Sequence, residues 1–176
     1  MVELITLTNP DELNIEFRRI YEEAFPPEER RDWSQIVELL INTQFSFNGI
    51  YFQQKIVGFY TIWHLGEFNF MEHFAIRDSE RGKGFGSQVF QQILKLSSTL
   101  LILEVEEPFT HSARKRIEFY ERLNFVVSEG VYYQPPYSIG KNKVKMLLMS
   151  NPERILQGDF AAIQSRIHDV VYQCIL

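Results

Sequence analysis

Apolar residues recur along this chain with two different periods, and the switches between them lay out an alternation of strands and helices. Val2 to Leu7 alternates as a strand does. From Pro10 to Ala24 the apolar set Leu13, Phe17, Ile20, Tyr21 and Ala24 takes up helical spacing. The segment Phe25-Pro26-Pro27-Glu28-Glu29-Arg30-Arg31 is a turn, and a second helix is predicted from about Trp33 to Ile41. Phe47 to Phe52 and Ile56 to Trp63 flank Gln53-Gln54-Lys55 and predict a hairpin, followed by a strand over Glu67 to Ile76. Val89, Phe90, Ile93, Leu94 and Ser97 line one face of a helix from Gly84 to Ser97. Leu101 to Glu106 is the next strand, and Ala113, Ile117 and Tyr120 mark another helical stripe. Val126 to Tyr133 and Val144 to Met149 predict two strands around Gln134-Pro135-Pro136-Tyr137-Ser138-Ile139-Gly140, where the prolines forbid ladder pairing. Pro152 to Ile175, with Ile155, Leu156, Phe160, Ile163, Ile167, Val170 and Val171 in one stripe, predicts a long terminal helix that either packs on the sheet or dimerises.

Composition fits one packed domain over residues 1–176, with a core of about 1–150 and the terminal helix over about 152–175. The 176 residues are 45% apolar and 14% aromatic, too hydrophobic for disorder, and no repeat or linker interrupts them. A net charge of −5 argues against a nucleic-acid partner, because the basic residues form only short clusters, and it suits a cationic amine substrate. No apolar run approaches the ~20 residues of a membrane span, and the amino terminus lacks a basic, apolar leader. A cytoplasmic protein without membrane contact is expected. Cys174 has no cysteine partner and reads as a packed thiol. His64, His73, His111 and His168 are scattered without ligand spacing, so no metal is expected.

The chemistry concentrates where the predicted strand ending at Ile76 breaks into Arg81-Gly82-Lys83-Gly84-Phe85-Gly86-Ser87 and then into a helix. Glycines remove β-carbons that would keep a diphosphate from the main chain, and a helix start leaves unpaired, electropositive N–H groups. Arg81 and Lys83 add charge beside them. The dinucleotide fingerprint fails at Ser87 and Val89, and the P-loop fails because Gly82-Lys83 continues into Gly84.

What remains is Arg-x-x-Gly-x-Gly at Arg81, Gly84 and Gly86, and it resembles the central motif of the GNAT superfamily of acetyl-CoA-dependent N-acetyltransferases. Phe119-Tyr120-Glu121-Arg122-Leu123-Asn124-Phe125 is similar to that family's F-Y-x-x-x-G-F segment, and the two together carry the resemblance over about Phe70 to Phe125. It implies a mixed, mostly antiparallel α/β sheet of about seven strands flanked by helices, here with an extra C-terminal helix. It implies acetyl-CoA as cosubstrate, with Arg81, Gly82, Lys83, Gly84, Phe85, Gly86 and Ser87 at the diphosphate and Phe74, Ala75 and Ile76 along the pantetheine arm. It also implies direct transfer of acetyl to a primary amine, of a small molecule or a peptide, in a ternary complex.

Two residues answer to catalytic roles. Glu72 matches a carboxylate that serves some members as general base. Simple alternation puts it on one face with Phe68, Phe70, Phe74 and Ile76, where burial would raise its pKa; the alternative is a glutamate paired with an Arg or Lys. Tyr120 matches the tyrosine that protonates the departing thiolate, and its unperturbed pKa of about 10 suits that task; the alternative is a core tyrosine. His111 is a fallback acid or base. His73 should point opposite Glu72 unless a bulge intervenes. Several positions depart from the family pattern. Ala113 stands where asparagine is usual, and Arg116 where a small residue is usual. Arg114, Lys115 and Arg116 either meet the 3′-phosphate or form a solvated face. Asn124 replaces the glycine that ends the helix, in a conformation asparagine tolerates. Glu104 and Glu106 share one strand face, either to draw in a cationic acceptor or in salt bridges to Arg81 or Lys83. The tyrosines and prolines from Tyr132 to Tyr137 are either a substrate wall or a surface loop. A non-catalytic acyl-CoA sensor or scaffold, a protein N-acetyltransferase and a homodimer remain open alternatives.

Overall fold

The computed structural model describes residues 1–96, 99–138, 140–152, 155 and 157–172. Among these, eight strands and five α-helices alternate in a mixed α/β fold with a mostly antiparallel sheet. The chain divides into two compact units, residues 1–64 with 71–97 and residues 65–70 with 98–176.

In the first unit, β1 (Glu3–Leu7), β2 (Phe45–Phe52), β3 (Lys55–His64) and β4 (Phe68–Ile76, from Met71 on) follow one another in the sheet. β1 pairs antiparallel with β2, and β2 with β3. The β2–β3 hairpin turns on Gln53 and Gln54 at φ 50° and 63°, two left-handed residues that match the twist of the flanking strands. Gly58 permits the close approach of β3 to β4, since a β-carbon there would lie 2.3 Å from the Ala75 carbonyl oxygen. The predicted helix from Pro10 is interrupted. A short 3-10 turn, Pro10–Glu12, precedes Asn14, whose side chain accepts from the N–H groups of Glu16 and Phe17 and starts α1 (Ile15–Ala24). Phe17, Ile20 and Tyr21 are its buried face. α2 (Trp33–Leu39) begins at the capping residue Asp32 and buries Ile36 and Leu39. α3 (Phe85–Leu96) buries Phe85, Val89 and Phe90.

In the second unit, β5 (Leu100–Glu106) pairs antiparallel with β8 (Val144–Asn151) along one side. Its other side takes β6 (Val126–Val127) and β7 (Tyr132–Gln134), both antiparallel. The single strand predicted over Val126 to Tyr133 is thus two short ones, which makes eight strands rather than about seven. β7 stops at Gln134, immediately before the two prolines. α4 (His111–Glu121) is capped by the Thr110 hydroxyl, which accepts from the Ala113 N–H. Its C-terminus closes on Asn124 at φ 64°, as the substitution for glycine requires, with the Phe125 N–H donating to the Tyr120 carbonyl.

α5 (Gln157–Ile167) widens into a π-turn over His168–Tyr172, which buries consecutive Val171 and Tyr172. Its Phe160 ring fills the space over Gly130, where a β-carbon would sit 2.4 Å from ring carbons. The terminal helix therefore packs on its own unit. Leu156, Ile175 and Cys174 lie outside the described residues. No helix among the described residues is long and apolar enough to cross a membrane, and no group of three or more His, Cys, Asp or Glu among them could hold a metal ion.

Candidate active site

The turn between β4 and α3 has the shape its sequence asks for. Gly82 and Gly84 take φ of 77° and 80°, the left-handed region that strains any residue with a β-carbon. A β-carbon at either position would meet no heavy atom within 4 Å, so the glycines face open space. The Gly84 carbonyl accepts the first helical bond, from Gln88, which leaves the N–H groups of Phe85, Gly86 and Ser87 in the unpaired first turn of a twelve-residue helix. These are the features a diphosphate needs. The Phe85 ring itself is buried against Phe52 at 4.9 Å, so this residue can offer only its main chain. The cations are not free charges. Arg81 pairs with Asp78 at 3.0 Å and donates to the Ile76 carbonyl, while Lys83 pairs with Glu80 at 2.8 Å. Both pairs are exposed and worth little, so an incoming phosphate can displace either carboxylate at small cost.

Strand β4 does not alternate where alternation was expected. Glu72 reaches Arg31 in the loop between α1 and α2, and the adjacent His73 packs on Tyr21 and Phe25 of the same layer, at centroid distances of 5.0 and 4.6 Å. Phe74 instead meets Phe90 of α3 at 4.9 Å. The grouping of Glu72 with Phe74 on one face is therefore corrected, as is the expectation that His73 points away from Glu72. Two consecutive side chains toward one layer require a local irregularity, and the His73 N–H accordingly donates to the Thr61 hydroxyl at 3.1 Å. The Glu72 side chain is 0% exposed although the residue as a whole is half-buried, so its accessible surface is main chain. Phe74 and Ile76 are half-buried too, while Ala75 is buried.

The electrostatics of Glu72 also reverse the expectation of a raised pKa. Burial pushes the carboxyl up, but the Arg31 charge, the neighbouring His73 and the hydrogen bonds from Trp63 and Arg31 together hold it below the ordinary carboxylate value. Arg31 Nε donates to Oε1 at 2.8 Å and Trp63 Nε1 to Oε2 at 2.7 Å. Arg31 is 1% exposed, lies 5.6 Å from the Trp63 ring centroid, and donates its backbone N–H to the Tyr21 hydroxyl. His73 is lowered to about 4, chiefly by burial. Arg31 is the functional candidate that sequence reasoning missed. An arginine in a polar Glu-Glu-Arg-Arg run carries no sign of burial.

Tyr120 belongs to the second unit and Glu72 to the first. Tyr120 is 6% exposed, with its ring against Phe119 and Phe125, and burial raises its phenol to about 12 despite the nearby Arg116 charge. It is therefore a firmly held proton donor. Arg116 donates to Glu106 at 3.0 Å and Arg114 to the Pro108 and Phe109 carbonyls, so two of the three basic residues have partners within their own unit. His111 is exposed at the start of α4. Glu104 is bonded by the Tyr132 and Tyr172 hydroxyls rather than by Arg81 or Lys83. Tyr132 and Tyr137 are buried, and Tyr133 is exposed.

Comparison with known proteins agrees with this geometry. The family model described as Acetyltransferase (GNAT) family matches residues 11–125. A Bacteroides thetaiotaomicron protein assigned to the GNAT family is 31% identical, with a TM-score of 0.89 over 97% of this chain and 98% of its own. The ribosomal-protein-S18-alanine N-acetyltransferase from Escherichia coli shares the fold at 15% identity and a TM-score of 0.62, over 89% and 96% of the two chains. So does a GNAT family acetyltransferase from Elizabethkingia anophelis with acetyl-CoA bound, at 12% identity and 0.59, over 85% and 96%. No curated protein matches in sequence.

Proposed function

The chain belongs to the GNAT acetyltransferase family, and from that premise we propose that it acetylates a primary amine of its acceptor directly from acetyl-CoA in a ternary complex. The observation that carries this is the open left-handed turn at Gly82 and Gly84 leading into the first N–H groups of α3. Residues Arg81 to Ser87 hold the diphosphate, and the main chain of Phe74, Ala75 and Ile76 runs along the pantetheine arm. The thioester supplies an electrophilic carbonyl carbon and a thiolate leaving group.

Tyr120 gives its proton to that sulfur. The acceptor nitrogen forms the new C–N bond, the C–S electron pair leaves on sulfur, and the proton shed by nitrogen returns to Tyr120 through water. With the phenol at about 12 and a thiol near the ordinary ~8.5, transfer from Tyr120 alone is uphill, so its proton moves to sulfur in concert with C–S cleavage and with the return of the nitrogen's proton through water. Glu72 has another task in this proposal. With one oxygen on Arg31 and the other on Trp63, and a pKa below the ordinary value, it positions the α1–α2 loop over β4 while the amine proton leaves through water.

The test is free-thiol release from acetyl-CoA with a panel of polyamines, aminoglycosides, amino acids and peptides, beside calorimetry of acetyl-CoA binding. Tyr120→Phe is expected to lower turnover at least about a hundredfold while leaving the binding heat unchanged. Turnover within a few-fold of the parent removes Tyr120 from the chemistry. Heat without thiol release across the panel converts the protein into an acyl-CoA sensor, and release only with peptide or protein acceptors makes it a protein N-acetyltransferase.

A further inference from the structure

A cleft of about 420 Å³ lies in the first unit between α1 and the segment that leads into α2. Arg18, Tyr21 and Glu22 line it from α1, where spacings of three and four residues put them on one stripe. Three residues lining the other side are already engaged. Arg31 is paired with Glu72, Arg30 donates to the Glu22 and Phe25 carbonyls at the end of α1, and Asp32 belongs to the capping box of α2. These bonds give the cleft its shape, and the donors that remain decide what it can hold.

Arg18 uses Nε for its 2.9 Å bond to Glu22, while its Nη1 and Nη2 make no hydrogen bond among the described residues. That pair is exposed on both sides, so an incoming anion can replace the Glu22 carboxylate at small cost. Tyr21 carries the second donor. Its hydroxyl accepts the Arg31 N–H at 2.8 Å, and its own hydrogen finds no acceptor among the described residues, although the residue is 0% exposed. Burial and the Glu72 charge push this phenol above its ordinary pKa, so the hydrogen stays in place. A buried donor without an acceptor is costly, and it marks a place where a ligand or water completes the bonding. A guanidinium fork beside a phenol donor calls for a group with two acceptor oxygens and a negative charge, which is a carboxylate.

We propose that Arg18, together with the Tyr21 hydroxyl, binds a carboxylate of the acceptor in this cleft, so that the preferred acceptor is a small molecule bearing both an amine and a carboxylic acid. The inference rests on the acetyl-transfer proposal for the word acceptor. Arg31, in the lining, holds Glu72 on β4, and Phe74, at the pantetheine arm in that proposal, stands two residues or about 7 Å further along the strand. One end of such a molecule is anchored in the cleft while the other reaches toward the thioester. Anchoring the carboxylate leaves the amine able to lose its proton, whereas a site that held the ammonium itself would keep it charged and unreactive.

The experiment is calorimetric titration of 4-aminobutanoate and 6-aminohexanoate, beside butylamine and hexylamine, into the protein, its Arg18→Gln variant and its Arg19→Gln variant. Arg19, next along α1, is exposed and outside the cleft lining, and controls for loss of one positive charge. At least one of the two acids is expected to bind the parent about tenfold or more tightly than the amine of equal carbon number. Arg18→Gln should abolish that preference, and Arg19→Gln should leave it within about twofold. Tyr21→Phe, which keeps the ring and removes the hydroxyl, should weaken the acid about threefold or more and leave the alkylamine unchanged. Equal affinity of acid and amine in the parent, survival of the preference in Arg18→Gln or intact in Tyr21→Phe, or equal loss in the two arginine variants overturns the proposal. Should Tyr21→Phe not fold, the two arginine variants, both at exposed positions of α1, carry the test. Thiol release from acetyl-CoA that is as fast with the alkylamines as with the acids also overturns it, and leaves acetyl transfer standing. Heat from acetyl-CoA alone reports on acetyl transfer and does not enter this comparison.

Discussion

Glu72 and Glu104 are both carboxylates on sheet strands, one in each unit, yet their surroundings differ in kind. Glu72 sits in the first unit with a guanidinium on one oxygen and an indole N–H on the other, and its side chain is 0% exposed. Glu104 sits in the second unit among phenols and keeps partial exposure. The first is a charge already answered by a charge, which fixes a loop. The second accepts from the hydroxyls of two tyrosines brought together from β7 and the terminal π-turn. A carboxylate in a fold is thus read by its partners rather than by its burial, since burial alone would have raised the pKa of Glu72 and its partners lower it.

The sharpest way to break the contrast is to remove one member of the Arg31–Glu72 pair. Glu72→Gln takes the carboxylate charge away from a guanidinium that is 1% exposed, and should cost about 3–5 kcal/mol in chemical denaturation, with Arg31→Met costing a similar amount. The double replacement Arg31→Met with Glu72→Leu should recover most of that loss, to within about 1–2 kcal/mol of the parent. Thiol release by the folded double variant then decides the role of Glu72. Persistent turnover means that it positions the loop, and abolished turnover in a stable protein returns it to the role of base.

Acid tests the same network without mutation. His73 is neutral in the fold down to about pH 4, whereas the unfolded chain protonates it near 6.5. The His73 contribution to stability should therefore fall as pH drops from about 6.5 to about 4, by about 3 kcal/mol, and level off below. Glu72 acts in the same direction: with its folded pKa below the ordinary value, its contribution is complete above that value and lost as pH falls through the folded pKa. His73→Phe should flatten the upper part of this profile in urea denaturation at stepped pH. A slope unchanged by the substitution would mean that His73 is not the group responsible. Smaller still is Trp63→Phe, which deletes the indole donor to Glu72 Oε2 from a fully buried position and should cost about 2 kcal/mol. A neutral outcome there would show that Arg31 alone answers the carboxylate.

Sequence reasoning reached the phosphate turn because its determinants are local. Three glycines, a preceding strand and a following amphipathic helix lie within about fifteen residues, and the positive φ of Gly82 and Gly84 is one that glycine adopts without strain. Asn124 was legible for the same reason. The irregularity at Glu72 and His73 was not, because a period of two describes a regular strand and nothing in Met-Glu-His-Phe marks where it slips. Arg31 was hidden by its polar neighbours, and its partner lies 41 residues away. The Glu104 cluster joins residues separated by 28 and 68 positions, and the tyrosine from the terminal turn enters only because a π-turn shifts the helical register after Ile167. Pairings of that range follow from packing, which periodicity alone cannot rank.

The smallest effect expected is the most informative about the second carboxylate. In Glu104→Gln the amide oxygen still accepts from the Tyr172 hydroxyl, and the amide N–H₂ can donate to a phenol oxygen, so both phenols keep a partner. Stability should stay within about 1 kcal/mol of the parent, against several for Glu72→Gln under the same denaturant. A loss as large as that of Glu72→Gln would mean that the terminal segment hangs on the Glu104 charge, and the two carboxylates would then be two versions of one structural clamp.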